Sequence, residues 1–236
     1  MIRIQNLNKT FGALEVLKDL NLVIMSGTTT GIVGPNGSGK TTLIKCLLGL
    51  VRPDSGSIFI DEAPVLIDDE YRKEIGYMPQ VGRYPDNMKV HELIRLIEEI
   101  RDNVDNKSKE LIKYFGLEPH LDAKLRNLSG GTRQKVSAVL TLMYNPKLLI
   151  FDEPTAGLDP QASIRFKNLV IEEKKAEKTI LLTTHITSEI EELADNIILI
   201  VEGKVHYHGP IQNLLIARNT ERLEGAVAKI MEEVAA

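Results

Sequence analysis

The segment GPNGSGKT (34–41) has the residue types and spacing to do chemistry, fitting G-x-x-x-x-G-K-[ST] between an apolar strand and an amphipathic helix. Polyphosphate oxygens need backbone N–H groups wrapped around them. Gly34, Gly37 and Gly39 let the chain turn tightly around such a group, with Pro35, Asn36 and Ser38 completing the turn. The helix opening at Gly39-Lys40 adds its positive end. Lys40 supplies a point charge for the β and γ phosphates, and the Thr41 hydroxyl is a hard oxygen ligand for Mg²⁺. Thr42 offers one more donor, to the α phosphate. A glycine-rich turn that binds nothing is the competing reading. A chance match in a chain of this length occurs about once in a hundred, and the correct flanks make it rarer.

A second constellation lies downstream. LLIFDEP (148–154) is an apolar strand ending in two adjacent acids, which is costly unless cations wait there. Asp152 is placed to hold Mg²⁺, directly or through water. Glu153, pointing to the other side of the strand, is placed to take the proton from an attacking water. Seen alone, the acids have a competing reading as caps of a following turn. His185 follows the strand TILLTT and can donate to a γ-phosphate oxygen, although a lone histidine is more often a plain loop residue. Gln80 ends IGYMPQ (75–80), and its neutral amide can reach both a metal and a water.

The elements that must position these residues alternate. Strands and turns fill the first sixty residues, then TTGIVGPNGSGKTTLIKCLLGL (29–50) reads as strand, turn and helix. Helical texture begins near Val90, with HELIRLIEEIRDNV (91–104) and SKELIKYFGL (108–117), and a further helix is expected near 132–144. Strands return at 147–154 and 179–185, separated by a helix at about 161–176 and followed by one near 187–194. NIILIVEGKVHYHG reads as a hairpin turning at Glu202-Gly203-Lys204, and a helix at about 220–234 closes the pattern. Strands alternating with helices predict an α/β chain with a mainly parallel sheet and ligands at the carboxyl ends of its strands. The expected division is a core of about 1–82 and 142–236, with an inserted helical subdomain of about 83–141.

Composition narrows the partners. The 236 residues are 43% apolar and 26% charged, an ordinary globular composition that excludes disorder and collagen. With 29 basic against 33 acidic residues the net charge is −4, which offers no basic field to nucleic acid. One cysteine, Cys46, rules out an internal disulfide and fits a reducing compartment. The opening MIRIQNLNKTF lacks the apolar run of a secretory signal, and no window reaches the roughly 18 apolar residues of a spanning helix. A cytoplasmic chain is expected, with any membrane part on another polypeptide.

LSGGTRQK (128–135) decides the family. It is a Ser-Gly-Gly turn entering a helix, a second anion-binding helix end about twenty residues before Asp152-Glu153. With the phosphate loop upstream and His185 downstream, the whole chain resembles the nucleotide-binding domain of ABC transporters. The resemblance implies a P-loop NTPase, RecA-like core with an N-terminal antiparallel β subdomain and the inserted helical subdomain. It implies that Phe11, in KTFG, stacks on adenine, that Gly34 to Thr41 are the Walker A loop, and that Gln80 is the Q-loop residue. Ser129-Gly130-Gly131 resemble the signature, Asp152 the Walker B aspartate, Glu153 the catalytic base, Ala156 to Asp159 the D-loop, and His185 the switch histidine. Thr132 departs from the usual signature Gln; its position after both glycines suggests an effect on the partner surface more than on phosphate binding.

The implied mechanism needs two copies, head to tail, sandwiching two ATP molecules with Mg²⁺. Ser129, Gly130 and Gly131 of one copy cap the γ-phosphate held by Lys40 of the other. Hydrolysis then loosens the pair and moves a separate transmembrane permease, whose short helix would dock on the helical block and on VGRYPDNMKV (81–90). The alternative is a soluble ABC ATPase without a membrane partner, of the iron–sulfur assembly kind. LSGGTRQK and the compact end look more like ATPases of the ABC-2 type, including those serving copper-enzyme maturation. The pair His206/His208 lacks a third metal ligand and is expected to be a solvated strand face.

Overall fold

Alternation along the buried strands explains the architecture. In a computed structural model that describes residues 1–65, 70–101 and 107–235, successive side chains of each central strand enter two different cores. Leu148 and Ile150 face one core, Leu149 and Phe151 the other; Leu181 and Ile180/Leu182, and Ile198 and Ile197/Leu199, divide in the same way. Strands buried on both faces read as continuous apolar runs, which is why KLLIFD and NIILIV carry no polar alternation.

The central sheet has six strands. From one edge these are β10 (Lys204–Pro210), β9 (Asn196–Val201), β3 (Thr29–Val33), β8 (Thr179–Thr183), β7 (Leu148–Asp152) and β6 (Ile75–Met78). β9, β3, β8, β7 and β6 run parallel, and only the edge strand β10 is antiparallel. A second, antiparallel sheet is ordered β2 (Leu14–Ile24), β1 (Ile2–Phe11), β4 (Ser55–Ile60), β5 (Ala63–Pro64). Its apolar face, with Ile2, Ile4, Leu7 and Leu20, shares one core with helix α1 (Lys40–Leu47) and one face of the central sheet. Cys46 belongs to that core, fully buried, and burial raises its thiol pKa to about 11, so it is an inert packing residue.

Helices cover the other face. They are α2 (Val90–Ile100), α3 (Ser108–Phe115), α4 (Gly130–Leu142), α5 (Pro160–Lys175), α6 (Thr187–Leu193), α7 (Ile211–Arg218) and α8 (Leu223–Ala235). Phe151 and Phe166 meet edge to face at 5.1 Å between the strand and α5. α3 ends where Gly116 adopts φ +65, as the sequence leads one to expect. Residues 102–104 of the expected 91–104 helix lie outside those described.

Two helices differ from the reading of the sequence. The helix expected at 132–144 begins at Gly130 and ends at Leu142, because Ser129 caps it two residues earlier than the apolar pattern indicated. α7 was not expected at all. Its Ile211 and Leu214 are buried while Ile216 is 77% exposed, so no clean apolar stripe announces it. His206 and His208 are both exposed on β10, the solvated strand face expected of them, although the pairing register shifts between Val205 and Tyr207. Among the described residues no cluster of three His, Cys, Asp or Glu side chains forms a metal site.

Candidate nucleotide and metal site

Four neighbouring parallel strands deliver the site to one edge of the sheet. β3 runs into the phosphate loop, β7 ends at Asp152, β8 leads through Thr183 to His185, and β6 leads to Gln80. This is the carboxyl edge, where open α/β sheets place their ligands. The residues come from four distant stretches of sequence, so the sheet order brings them together.

The phosphate loop is shaped around its own backbone. Lys40 heads α1 with its ammonium 2.7 Å from the Gly34 carbonyl oxygen and 3.0 Å from that of Pro35, drawing the loop into a ring. A Cβ at Gly34 would lie 2.0 Å from the Ile200 carbonyl oxygen, so only glycine lets the loop approach β9 this closely. The Ser38 hydroxyl is buried inside the loop with no hydrogen-bond partner among the described residues. Burial lowers the Lys40 pKa, opposed by the nearby charges of Glu153 and Asp152. A buried ammonium, a ring of backbone donors and an unpartnered hydroxyl fit a polyphosphate.

The acids face this loop. Asp152 is buried and accepts from the Thr41 hydroxyl at 3.3 Å through Oδ2 and from the Thr183 hydroxyl at 2.6 Å through Oδ1. Hard oxygen donors from Asp152 and Thr41, side by side, suit Mg²⁺ with phosphate and water completing its shell. Glu153 is not the next residue of the strand, as the alternation expected. β7 stops at Asp152 and Glu153 adopts φ +50, its N–H donating to the Thr183 carbonyl oxygen at 3.0 Å. One oxygen of its carboxylate, Oε2, then collects both remaining candidates: the Gln80 amide donates at 3.2 Å and His185 Nδ1 lies at 3.1 Å. Non-glycine residues at positive φ cost energy and mark sites where geometry is imposed.

Phe11 sits 50% exposed at the tip of the β1–β2 hairpin, with the Lys9 ammonium 5.2 Å from its ring centroid. An open aromatic face beside a cation is suited to stacking on a flat heterocycle.

The Ser129-Gly130-Gly131 turn is not drawn into this cluster. Ser129 caps α4, its hydroxyl accepting from the Thr132 N–H at 3.1 Å. Thr132 also places its own hydroxyl 2.9 Å from Ser129 Oγ. A Cβ at Gly131 would lie 2.8 Å from the Gly157 carbonyl oxygen, so the turn and the D-loop-like segment are packed backbone to backbone. Asp159 caps α5 by accepting from Ala162 N–H at 2.8 Å and takes the Lys135 ammonium at 2.9 Å. Among the described residues no hydrogen bond joins Ser129, Gly130, Gly131 or Asp159 to the phosphate loop of the same chain.

Sequence reasoning missed Thr183, Lys135 and the buried Glu189, which accepts from the hydroxyls of Thr155 at 3.0 Å and Thr184 at 3.1 Å. Thr183 lay inside an apolar run, where nothing but its hydroxyl marks it.

Comparison with known proteins follows the same lines. The family model described as ABC transporter matches residues 17–156. The ABC transporter ATP-binding protein NatA of Bacillus subtilis is 31% identical over 89% of this chain and 88% of its own length. The lipopolysaccharide export system ATP-binding protein LptB of Escherichia coli is 30% identical, over 93% and 94%. Among solved structures, the ATP-binding subunit of an ABC transporter superposes with TM-score 0.90 at 28% identity, covering 98% of this chain and 99% of that one. A dimeric ATP-binding cassette in a post-hydrolysis state bound to ADP and Pi gives 0.80 at 26% identity, covering 89% and 99%.

Proposed function

The chain belongs to the ABC transporter family as an ATP-binding, ATP-hydrolysing subunit, and from that premise we propose how its residues share the work. Lys40 and the backbone N–H groups of residues 34–41 hold the β and γ phosphates, with Thr42 on the α phosphate and Phe11 stacked on adenine. Thr41, Asp152 and Gln80 hold Mg²⁺. When bound, that ion neutralises charge on the phosphate oxygens. Glu153 takes the proton of the attacking water, and His185 donates to a γ-phosphate oxygen. Ser129, Gly130, Gly131 and Asp159 of a second copy complete the centre, so that the triphosphate is part of the dimer interface.

One observation carries this reading. A single carboxylate oxygen gathers Gln80 and His185, and the preceding residue reaches the phosphate loop through Thr41. A base needs its carboxylate within reach of the γ-phosphate and oriented by neighbours, and this cluster supports that arrangement. Glu153→Gln is expected to keep ATP binding, lower turnover by about 10²–10⁴-fold and leave ATP-bound dimers that persist on a sizing column. Near-normal hydrolysis would overturn the assignment of the base.

The helical segment of about 83–141 is proposed as an inserted subdomain that receives a short helix from a separate transmembrane permease. The chain would then sit on the cytoplasmic face of the membrane through that partner. Supporting this, no helix among the described residues is long and apolar enough to cross a membrane, and NatA and LptB carry transporter names. The subunit is expected to sediment with membranes only when the permease is co-expressed. Sedimentation that ignores the permease would favour the soluble alternative. The neighbouring reading frame, read for spanning helices, would also test the ABC-2 resemblance.

A further inference from the structure

We propose that Thr183 is the positioning residue of this centre: one buried hydroxyl orients Asp152 toward the metal and holds the backbone that presents Glu153. Thr183 is the last residue of β8, fully buried beside the end of β7. Its hydroxyl donates to Asp152 Oδ1 at 2.6 Å and accepts from the Glu153 N–H at 3.1 Å. The Thr183 carbonyl oxygen takes a share of the same N–H at 3.0 Å.

The geometry divides the labour between the oxygens. A hydroxyl has one proton and two lone pairs. Spending the proton on Oδ1 fixes the rotation of the Asp152 carboxylate and turns Oδ2 to the Thr41 side, where the metal would sit. The lone pair facing Glu153 anchors the N–H of a residue held at φ +50, the conformation that ends the strand and brings its carboxylate to Gln80 and His185. Strand packing alone does not call for this residue. Leu181 and Leu182 precede it in a strand buried from Ile180 onward, and a valine has the same branched shape. A buried hydroxyl without a partner is costly, and both groups that bond the Thr183 hydroxyl belong to the two acidic residues of the site. Outer partners of metal-binding carboxylates set their orientation in this way.

The inference rests on Asp152 being the carboxylate of the metal site, and the experiment separates the two. In the full chain with ATP, Mn²⁺ in place of Mg²⁺ is titrated by electron paramagnetic resonance, and ATP binding is measured separately with the metal removed by EDTA. Thr183→Val is expected to weaken Mn²⁺ binding to the ATP complex by about 10–100-fold, with metal-free ATP affinity unchanged. Thr183→Ser, which keeps the hydroxyl, should restore the metal to near the parent affinity. Thr183→Ala serves as the second hydroxyl-free variant should valine fail to fold, and is expected to behave as valine does. Parent-like Mn²⁺ affinity in the hydroxyl-free variants, an equal loss in serine, or a parallel fall in metal-free ATP affinity would each overturn the role. If Asp152→Asn also leaves Mn²⁺ binding untouched, the metal assignment itself is wrong; if only Asp152→Asn removes it, the Thr183 inference alone fails.

Discussion

The acid cluster and the Ser129 turn are held in opposite ways: one is wired together and the other stands apart. Gln80, Asp152, Glu153 and His185 come from three parallel strands and are linked to one another and to Thr41 within a single chain. Among the described residues the Ser129 hydroxyl is bonded only to Thr132, three residues away, and Gly131 packs on the segment around Gly157. A helix end with a capped, exposed serine and no bond to the phosphate loop of its own chain leaves N–H donors open to an anion. In the proposed function chemistry and completion are separate: one region would prepare the water and the metal, and the other would meet a triphosphate carried by a second molecule.

The sharpest way to break this comparison is to disable the halves on different chains. Gly131→Val places a side chain against the Gly157 carbonyl and should lower hydrolysis by about 10²–10³-fold, the usual cost of losing phosphate-facing donors. The isolated variant is expected to keep ATP binding, because its Lys40 loop is untouched. Lys40→Ala should fail earlier, at binding. Mixed together, the two variants form heterodimers holding one intact pair of halves and should recover hydrolysis that neither shows alone. A mixture as inactive as its components would mean that each chain completes its own site.

A smaller effect is expected from Phe11→Ala, which touches the nucleotide far from both halves. Losing an aromatic platform is worth about 1–3 kcal/mol, or roughly 5–150-fold in ATP affinity. Binding of inorganic triphosphate, which has no base, should be unchanged. If both weaken equally, the exposed ring at the hairpin tip serves the loop's shape and not the adenine.

Most of the wired region was legible because its chemistry restricts residue type. Glycines at fixed spacing, a lysine at a helix start and paired acids at a strand end have few other uses. The convergence on Glu153 was not legible: Gln80 and His185 lie 73 and 32 positions away from it in the sequence, and only the strand order β8-β7-β6 makes them neighbours. Thr183 was hidden for a different reason, since a threonine satisfies a buried strand by shape and reveals its hydroxyl only through its partners. α7 escaped because its apolar residues follow no single stripe. Periodicity reports faces; it does not report which strands lie side by side.

The finest prediction concerns Thr132, the one departure from the family's signature. Ser129 Oγ already accepts the Thr132 N–H and lies 2.9 Å from the Thr132 hydroxyl. When the partner's γ-phosphate is capped, Ser129 must spend its proton there, so the Thr132 hydroxyl must act as donor to Ser129. That added donation polarises the serine and strengthens its bond to phosphate. Thr132→Val removes one hydrogen bond of ordinary size, about 0.5–1.5 kcal/mol, and should weaken ATP-driven dimerisation by about 2–10-fold in a Glu153→Gln background followed by analytical ultracentrifugation. Thr132→Ser should be neutral. A tighter dimer in the valine variant would show the opposite polarity, with the serine's proton held by Thr132 and withheld from phosphate. The self-capped turn would then oppose completion of the site.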